Sequence, residues 1–219
     1  RMKNIMTPKI VLVIGATGLV GSQLVKLLDQ DPQITEIRCL VRKPATISLN
    51  KTTFNVVDFM NLDRAHHLFD NVNHIFCCIG TTMKDAQSKQ QFYFVDYQIP
   101  QKVAEIGKEK GISAYSLVSS VGAHSKSLSF YLKTKGSLED QLQKLGFKQL
   151  IIYRPSFLLG QRHQPRLTEK WMMILFTLFF WLIPKRLKPT DSKNLVTLMV
   201  EHLNIPHDGI QIYEPHMIQ

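Results

Sequence analysis

Tyr131 and Lys135 stand four residues apart in the sequence Tyr-Leu-Lys-Thr-Lys. On an α-helix this spacing places both side chains on one face. A lysine ammonium beside a phenol favours the phenolate, so the phenol can exchange a proton with a carbonyl or an alcohol near neutral pH. Ser119 and Ser120 precede Tyr131 by twelve and eleven residues, where a hydroxyl could hydrogen-bond the substrate oxygen. Together these residues predict acid–base chemistry, with Ser120, Tyr131 and Lys135 as the catalytic residues.

A glycine-rich segment follows the apolar run Ile10–Ile14 and reads Gly-Ala-Thr-Gly-Leu-Val-Gly over residues 15–21. A strand that passes through such a turn into a helix forms a phosphate cradle: Gly18 lets the backbone approach a pyrophosphate, and Gly21 lets the helix pack close to the sheet. The N–H groups at the helix start then face the anion. The spacing differs from the commonest dinucleotide fingerprint and indicates one branch of the nicotinamide-binding folds. The predicted cofactor contacts here are Gly15, Thr17, Gly18, Leu19, Val20 and Gly21.

Apolar segments typical of strands alternate with helical patterns along the chain. The strand candidates are Ile10–Ile14, Ile37–Val41, Phe54–Val57, Val72–Ile79, Ala114–Val118, Gln149–Tyr153 and a short one near Ile210–Tyr213. The helix candidates are Leu19–Leu28, Leu62–Phe69, Gln90–Lys110 and Gly136–Leu145. This alternation predicts an α/β fold, a Rossmann-type doubly wound parallel sheet with a small C-terminal lid region. In such a sheet ligands bind at the carboxyl ends of the strands.

The residues that follow the predicted strands are therefore the next candidates for cofactor contacts. Arg42 and Lys43 follow the second strand, where an arginine accommodates the 2′-phosphate of NADP and an acidic residue would favour NAD; solvated loop charges are the alternative. Asp58 and Phe59 follow the third strand, with Asp58 near the adenine or capping the next helix. Cys78, Gly80 and Thr81 come at the end of the fourth, where a plain turn is the alternative. NADP is favoured over NAD.

The chain resembles the short-chain dehydrogenase/reductase superfamily in its extended or atypical branch. Within that branch it resembles the Tat-interacting protein (CC3-like) oxidoreductase family. The segments that carry this resemblance are Phe76–Thr82, Ser119–Ala123, Phe130–Gly136 and Tyr153–Ser156. The resemblance implies an NADP(H)-binding fold with further cofactor contacts at Ser119, Tyr131, Lys135, Arg154, Pro155 and Ser156.

The same resemblance implies hydride transfer to or from a carbonyl or alcohol. Tyr131 would be the general acid/base, Lys135 would hold the nicotinamide ribose, and Ser120 or Ser119 would orient the substrate oxygen. Asp96 stands where extended members often have an asparagine of the proton relay. A catalytically weak NADPH-binding regulator or membrane-associated scaffold is therefore the alternative, and an epimerase that uses bound NADP internally is a weaker one.

The composition gives a formal net charge of +10, which favours anionic ligands. The phosphate loop is the localised motif for such a ligand, so a small-molecule substrate is expected and nucleic acid is not. The histidines lack metal-ligand spacing, and no metal site is predicted. Three cysteines in predicted buried strands, no Cys-x-x-Cys and no apparent secretory signal predict a reduced, cytoplasmic protein.

The C-terminal third contains an uncharged segment at residues 171–183. As a helix it would rise only about 20 Å, too short to span a hydrocarbon core of about 30 Å. A lid over an apolar substrate, a homodimer or partner surface, and peripheral membrane contact remain open. The last is suggested by Trp171 and Trp181 with flanking basic residues. The predicted organisation is an N-terminal tail (1–8) and a single NAD(P)-binding domain (9–219), with residues 160–190 as the lid or interaction segment.

Overall fold

The computed structural model of the chain describes residues 8–159, 189–205 and 207–218. Its main sheet has seven parallel strands in the order β3-β2-β1-β4-β5-β6-β9. These strands are β1 (Lys9–Ile14), β2 (Ile34–Val41), β3 (Thr52–Val56), β4 (His74–Cys77), β5 (Ala114–Val118), β6 (Gln149–Tyr153) and β9 (Gly209–Tyr213). A separate short pair joins β7 (Leu158–Leu159) to β8 (Thr190–Asp191). The predicted doubly wound parallel sheet is confirmed, and its order reverses between β1 and β4.

Helices cover both faces of this sheet. The α-helices in the described residues are α1 (Leu19–Gln30), α2 (Met83–Ala86), α3 (Lys89–Tyr93), α4 (Ile99–Glu109), α5 (Phe130–Lys144) and α6 (Ser192–Asn204). Two 3₁₀ helices span Leu62–Phe69 and Pro215–Met217, and a π turn spans Phe94–Gln98.

Strand β1 contributes to two apolar cores because its successive side chains point to opposite faces. Val11 and Val13 pack in the core that includes α1 and α6. Leu12 and Ile14 pack in the core that includes α4 and α5. A strand buried on both faces needs apolar residues throughout, which explains the uninterrupted run before the glycine segment.

The predicted helix Gln90–Lys110 is interrupted. It consists of α3, the π turn Phe94–Gln98 and α4. Pro100 lies in the first turn of α4, and it lacks the N–H that would bond the Asp96 carbonyl in a regular helix. The backbone widens there, and Asp96 is fully buried.

Helix α5 begins six residues earlier than the predicted Gly136. The side chain of Ser129 caps it by accepting the N–H of Leu132. Tyr131 and Lys135 therefore lie on one helix, in its first two turns. The predicted helix Leu62–Phe69 forms as a 3₁₀ helix, and the predicted strand Val72–Ile79 is shortened to β4, which leaves Cys78 beyond its end.

In the described ranges, no helix is long and apolar enough to cross a membrane. The apolar segment 171–183 lies outside the described residues. Its assignment as a lid, an interface or a membrane contact stays a prediction.

Candidate dinucleotide cleft and acid–base site

The glycine segment lies at the point where the strand order reverses, between the ends of β1 and β4. Gly15 has φ +80°, and a Cβ on it would lie 2.5 Å from the carbonyl carbon of Cys78. A Cβ on Gly21 would lie 2.1 Å from the Gly15 carbonyl oxygen. Both contacts are with backbone, so side chains at these positions would force the β1–α1 turn away from the end of β4.

Helix α1 begins at this segment without a side-chain cap. Gly18 is the N-cap residue, and its backbone oxygen accepts the N–H of Ser22 at 3.0 Å. Thr17 and Gly18 are exposed. The first N–H groups of a helix have no partner within the helix, and here they follow a turn with little side-chain bulk. This arrangement fits the pyrophosphate of a dinucleotide.

A cleft of about 280 Å³ opens beside the turn. Its lining residues are Gly15, Thr17, Gly18, Leu40, Arg42, Phe59, Cys78, Ile79, Gly80, Thr81, Asp85, Ala86, Gln91 and Val95. The cleft thus brings together eight of the predicted cofactor contacts, from the ends of β1, β2, β3 and β4. The residues from α2 and α3 were missed: no helix was predicted at α2, and the helical pattern that covers α3 does not show that Gln91 lines a cleft.

Other predicted cofactor contacts lie outside that lining. Lys43 is exposed on the loop after Arg42. Asp58 closes a turn, with its Oδ1 accepting the N–H of Met60 at 2.9 Å and its backbone oxygen accepting the N–H of Asn61 at 3.0 Å. Asp58 therefore stabilises the turn that leads into the 3₁₀ helix, but the N-cap residue of that helix is Asn61 and no side chain caps it.

Lys135, one of the residues predicted for acid–base chemistry, forms a buried ion pair with Asp96 beside the cleft. Lys135 Nζ lies 3.0 Å from Asp96 Oδ1, and the two side chains are 4% and 0% exposed. Asp96 Oδ2 accepts the backbone N–H of Thr81 at 2.9 Å. A Cβ on Gly80 would lie 3.5 Å from Asp96 Oδ1 and 3.8 Å from Lys135 Nζ. The ion pair therefore lies directly behind the cleft wall formed by Gly80 and Thr81.

Two opposing effects act on the pKa of Lys135. Burial lowers this pKa, because the charged form loses hydration. The Asp96 carboxylate raises it, the phenol of Tyr131 raises it further, and the net result is a pKa above the usual lysine value. Lys135 therefore keeps its positive charge at neutral pH.

Tyr131 is half-buried on the same helix, one turn before Lys135. Its ring lies 5.4 Å from the ring of Phe92, which is fully buried in α3.

A Cβ on Gly136 would lie 2.3 Å from the backbone of His124. Since only glycine allows this approach, helix α5 packs closely on the loop that follows β5.

That loop contains the two candidate serines, and they have different surroundings. Ser119 is buried and donates a short hydrogen bond to Glu139 Oε1. Ser120 is half-buried, and its hydroxyl has a long 3.4 Å contact with the Val121 carbonyl. Sequence reasoning missed Glu139, although it lies four residues after Lys135 and so shares the helix face of Tyr131 and Lys135.

The cofactor contacts predicted after β6 are Arg154, Pro155 and Ser156, and all three are bonded to other parts of the protein. Arg154 Nε lies 3.2 Å from both carboxylate oxygens of Glu139, and its Nη1 lies 2.9 Å from Glu214 Oε1. The Pro155 carbonyl accepts the N–H of Val121 at 2.9 Å. The Ser156 hydroxyl lies 3.1 Å from the Thr190 hydroxyl. Their predicted role in cofactor binding stays a prediction.

The adjacent thiols of Cys77 and Cys78 both have pKa values above the usual thiol value. Burial raises the pKa of Cys77 to about 11, and it also raises the pKa of Cys78, which lines the cleft, well above the usual thiol value. Both are free thiols. The neutral thiol is therefore the favoured form of both residues at physiological pH.

The similarity of this chain to known proteins also indicates a dinucleotide-binding protein. Residues 15–170 match the family described as NAD(P)H-binding. The chain belongs to this NAD(P)H-binding family. "Protein HTATIP2" of Rattus norvegicus is 32% identical over 202 residues, which cover 91% of this chain and 81% of that protein. "Protein FMP52, mitochondrial" of Candida albicans is 35% identical over 156 residues, 69% of this chain and 68% of that protein. The predicted family resemblance is confirmed.

Solved structures show the same fold as this NAD(P)H-binding chain. MoeE5 in complex with UDP-glucuronic acid and NAD superposes with a TM-score of 0.74 at 15% identity, over 92% of this chain and 74% of that one. The Bordetella bronchiseptica enzyme WbmH in complex with NAD+ gives a TM-score of 0.72 at 14% identity, over 94% and 75%. At such low identity the likeness concerns the fold alone.

The relatives contradict the cytoplasmic prediction for this NAD(P)H-binding chain. The similar proteins from Candida albicans, Debaryomyces hansenii and Saccharomyces cerevisiae are all named mitochondrial. The prediction was wrong because reduced cysteines argue only against oxidising compartments, and a mitochondrial location does not require disulfides.

Proposed function

We propose that this chain is an NADP(H)-dependent oxidoreductase of the atypical short-chain type, acting on a carbonyl or alcohol group of a small-molecule substrate. One observation carries the proposal: the Lys135–Asp96 pair lies directly behind Gly80, which lines the cleft. The lysine that would stabilise the Tyr131 phenolate thus lies at a wall of the cleft suited to a dinucleotide.

The residues at the cleft fit the dinucleotide part by part. The turn at Gly15–Gly21 and the uncapped start of α1 would hold the pyrophosphate. Arg42, at the end of β2, would pair with a 2′-phosphate. When bound, the reduced nicotinamide supplies the hydride.

The chain's own residues would handle the proton. In the reducing direction, the Tyr131 phenol donates its proton to the carbonyl oxygen as the carbonyl carbon gains the hydride. In the oxidising direction, the Tyr131 phenolate accepts the proton of the alcohol. The positive charge of Lys135 stabilises that phenolate, and a serine hydroxyl orients the substrate oxygen.

The decisive experiment compares Tyr131→Phe with Tyr93→Phe. A panel of aldehydes, ketones and quinones is tested for NADPH oxidation by the wild type, and both variants are then assayed with the best substrate. Tyr131→Phe is expected to lower kcat by about 100-fold or more, because the proton donor is lost. Tyr93, an exposed ring stacked on Tyr97, serves as the matched control and should leave turnover unchanged. Full activity of Tyr131→Phe would rule out the tyrosine mechanism.

A second function, a catalytically weak NADPH-binding regulator, is favoured by the same ion pair. Asp96 compensates the charge of Lys135, and a compensated ammonium stabilises a nearby phenolate less than an unpaired one does. The regulator is supported if the panel gives no turnover while NADPH raises the melting temperature. Turnover that depends on Tyr131 excludes it as the main role.

A further inference from the structure

The two adjacent serines after β5 differ in whether the hydroxyl proton is already donated in a hydrogen bond within the protein. The Ser119 hydroxyl donates to Glu139 Oε1, and the Glu139 side chain is 2% exposed. A serine hydroxyl has one proton to donate. Because Ser119 gives that proton to a buried carboxylate, it cannot also donate to a substrate oxygen. Among the residues that the structure describes, the Ser120 proton has only a long contact, 3.4 Å, with the carbonyl of Val121.

Glu139 is itself held in place by charge. Arg154 Nε lies 3.2 Å from each oxygen of its carboxylate. The same guanidinium reaches Glu214 Oε1 at 2.9 Å. Charge-assisted hydrogen bonds of this kind are stronger than neutral ones. The Glu139 carboxylate is therefore a fixed acceptor at the ends of β5, β6 and β9.

The backbone around Ser120 is anchored on both sides. The N–H of Ser119 donates to the Tyr153 carbonyl at 2.7 Å, and the N–H of Val121 donates to the Pro155 carbonyl at 2.9 Å. Ser120 lies between these two bonds. Its half-buried side chain is thus presented from a short, braced segment at the carboxyl end of β5.

We propose that Glu139, held by Arg154, is a positioning residue that retains the Ser119 hydroxyl and leaves Ser120 as the serine that donates to the substrate oxygen. The proposal rests on the proposed oxidoreductase function, since it requires a substrate oxygen. In the reducing direction the Ser120 hydroxyl stabilises the developing negative charge on that oxygen by a hydrogen bond and keeps its own proton.

The first test compares Ser119→Ala with Ser120→Ala, which make the same change at neighbouring positions. The probe is 9,10-phenanthrenequinone with saturating NADPH. Ser120→Ala is expected to lower kcat by about 100-fold, as for loss of a donor to a developing oxyanion. Ser119→Ala is expected to cost about 3-fold, as for a single ordinary hydrogen bond. The reverse order, or equal losses, overturns the assignment of Ser120.

The second test separates positioning from general stability by comparing Glu139→Gln with Asp140→Asn, a change at the exposed neighbouring residue. Glu139→Gln is expected to lower kcat by about 10-fold while the KM for NADPH stays the same, because the cleft is lined by other residues. Asp140→Asn should change neither. An equal rise in the KM for NADPH would contradict a positioning role.

Hydrogen–deuterium exchange of residues 119–123, measured in the presence of NADP, tests the role of Glu139 without any need for turnover. Exchange should be faster in Glu139→Gln than in the wild type and unaltered in Asp140→Asn. Unaltered exchange in Glu139→Gln overturns the role of Glu139. If the wild type fails to reduce the quinone while exchange responds as expected, the oxidoreductase function and the role of Ser120 fail, and Glu139 stands as the residue that fixes the loop.

Discussion

The Asp96 carboxylate joins Lys135 to the backbone of the cleft. Its Oδ1 lies 3.0 Å from Lys135 Nζ, and its Oδ2 accepts the N–H of Thr81 at 2.9 Å. The π turn at Phe94–Gln98 brings this side chain inward. Helix α5 and the Gly80–Thr81 segment are therefore held together by one buried carboxylate, and the position of each depends on it.

Asp96→Asn is expected to destabilise the protein by about 3–5 kcal/mol, because it leaves the buried Lys135 ammonium without a counter-ion. Urea denaturation at pH 7 measures the loss. The control is Asp63→Asn, which removes an exposed pair with Lys102 and should have little effect. A similar small loss in both variants would contradict a structural role for the buried pair.

The pH dependence of that loss has a defined sign. The pKa of Lys135 in the folded protein lies above the ordinary lysine value of 10.5, so the pair contributes its full stability below about pH 10.5. This contribution is lost as the pH rises through the higher folded pKa. Without the Asp96 charge, burial lowers the pKa of Lys135, so the folded variant loses this proton at a lower pH than the unfolded chain does. The difference in unfolding free energy between wild type and Asp96→Asn should therefore be largest near neutral pH and shrink as the pH becomes alkaline.

Alanine substitutions at two glycines of the same turn should differ in their effect on stability. In Gly21→Ala the new Cβ would lie 2.1 Å from the Gly15 oxygen, and overpacking of this kind costs about 1–3 kcal/mol. In Gly18→Ala the nearest atom is the Gly15 oxygen at 3.3 Å, so the fold should tolerate the change while the methyl group obstructs the cleft. Melting temperatures without ligand should fall for Gly21→Ala alone, and NADPH affinity by calorimetry should fall for both.

Arg42→Ala tests the choice between NADP and NAD. Loss of a charged hydrogen-bond partner of the 2′-phosphate should weaken NADP binding by about 10- to 100-fold, with little effect on NAD. Lys43→Ala, one residue further along the exposed loop, is the comparison and should weaken NADP less. Parallel calorimetry with both dinucleotides measures this, and comparable wild-type affinities for NADP and NAD would refute the role of Arg42.

His74 should make the protein sensitive to mild acid. Its ring is buried and lies 2.8 Å from the Ser116 hydroxyl, and burial lowers its pKa to about 3. Because the unfolded chain takes up this proton first, stability is lost as the pH falls below about 6.5, at about 1.4 kcal/mol per pH unit. His74→Asn should flatten the fall in unfolding free energy between pH 6.5 and 5, whereas His67→Asn, at an exposed ring, should leave it unchanged.

The strands and helices predicted best from the sequence are those whose apolar residues in the sequence match the positions that are buried in the fold. Strands β5 and β6 have the predicted bounds because each is a short, largely apolar segment buried on both faces. The start of α5 was missed because Phe130 and Tyr131 are weak helix formers and the apolar periodicity begins only later. The cap at Ser129 was the available signal.

The candidate site was predictable where a residue acts through its position after a strand, as for Gly15, Arg42 and Gly80. It was not predictable where a distant partner determines what a side chain is free to do. Ser119 and Ser120 are equivalent in the sequence, and only the approach of Glu139 from helix α5 distinguishes them. Asp96 was recognised as unusual, but its contact with Lys135 depends on the π turn, which no local pattern indicated.

The position of strand β9 affects the order in which contacts can form while the chain is being synthesised. It occupies the edge of the sheet next to β6, and Glu214 directly after it pairs with Arg154, 60 residues earlier in the chain. Synthesis runs from the N-terminus, so the residues of the β1–α1 turn leave the ribosome well before Glu214 does. In the nascent chain the loop that holds Ser119 and Ser120 should therefore lack part of its bracing until β9 and Glu214 have been made.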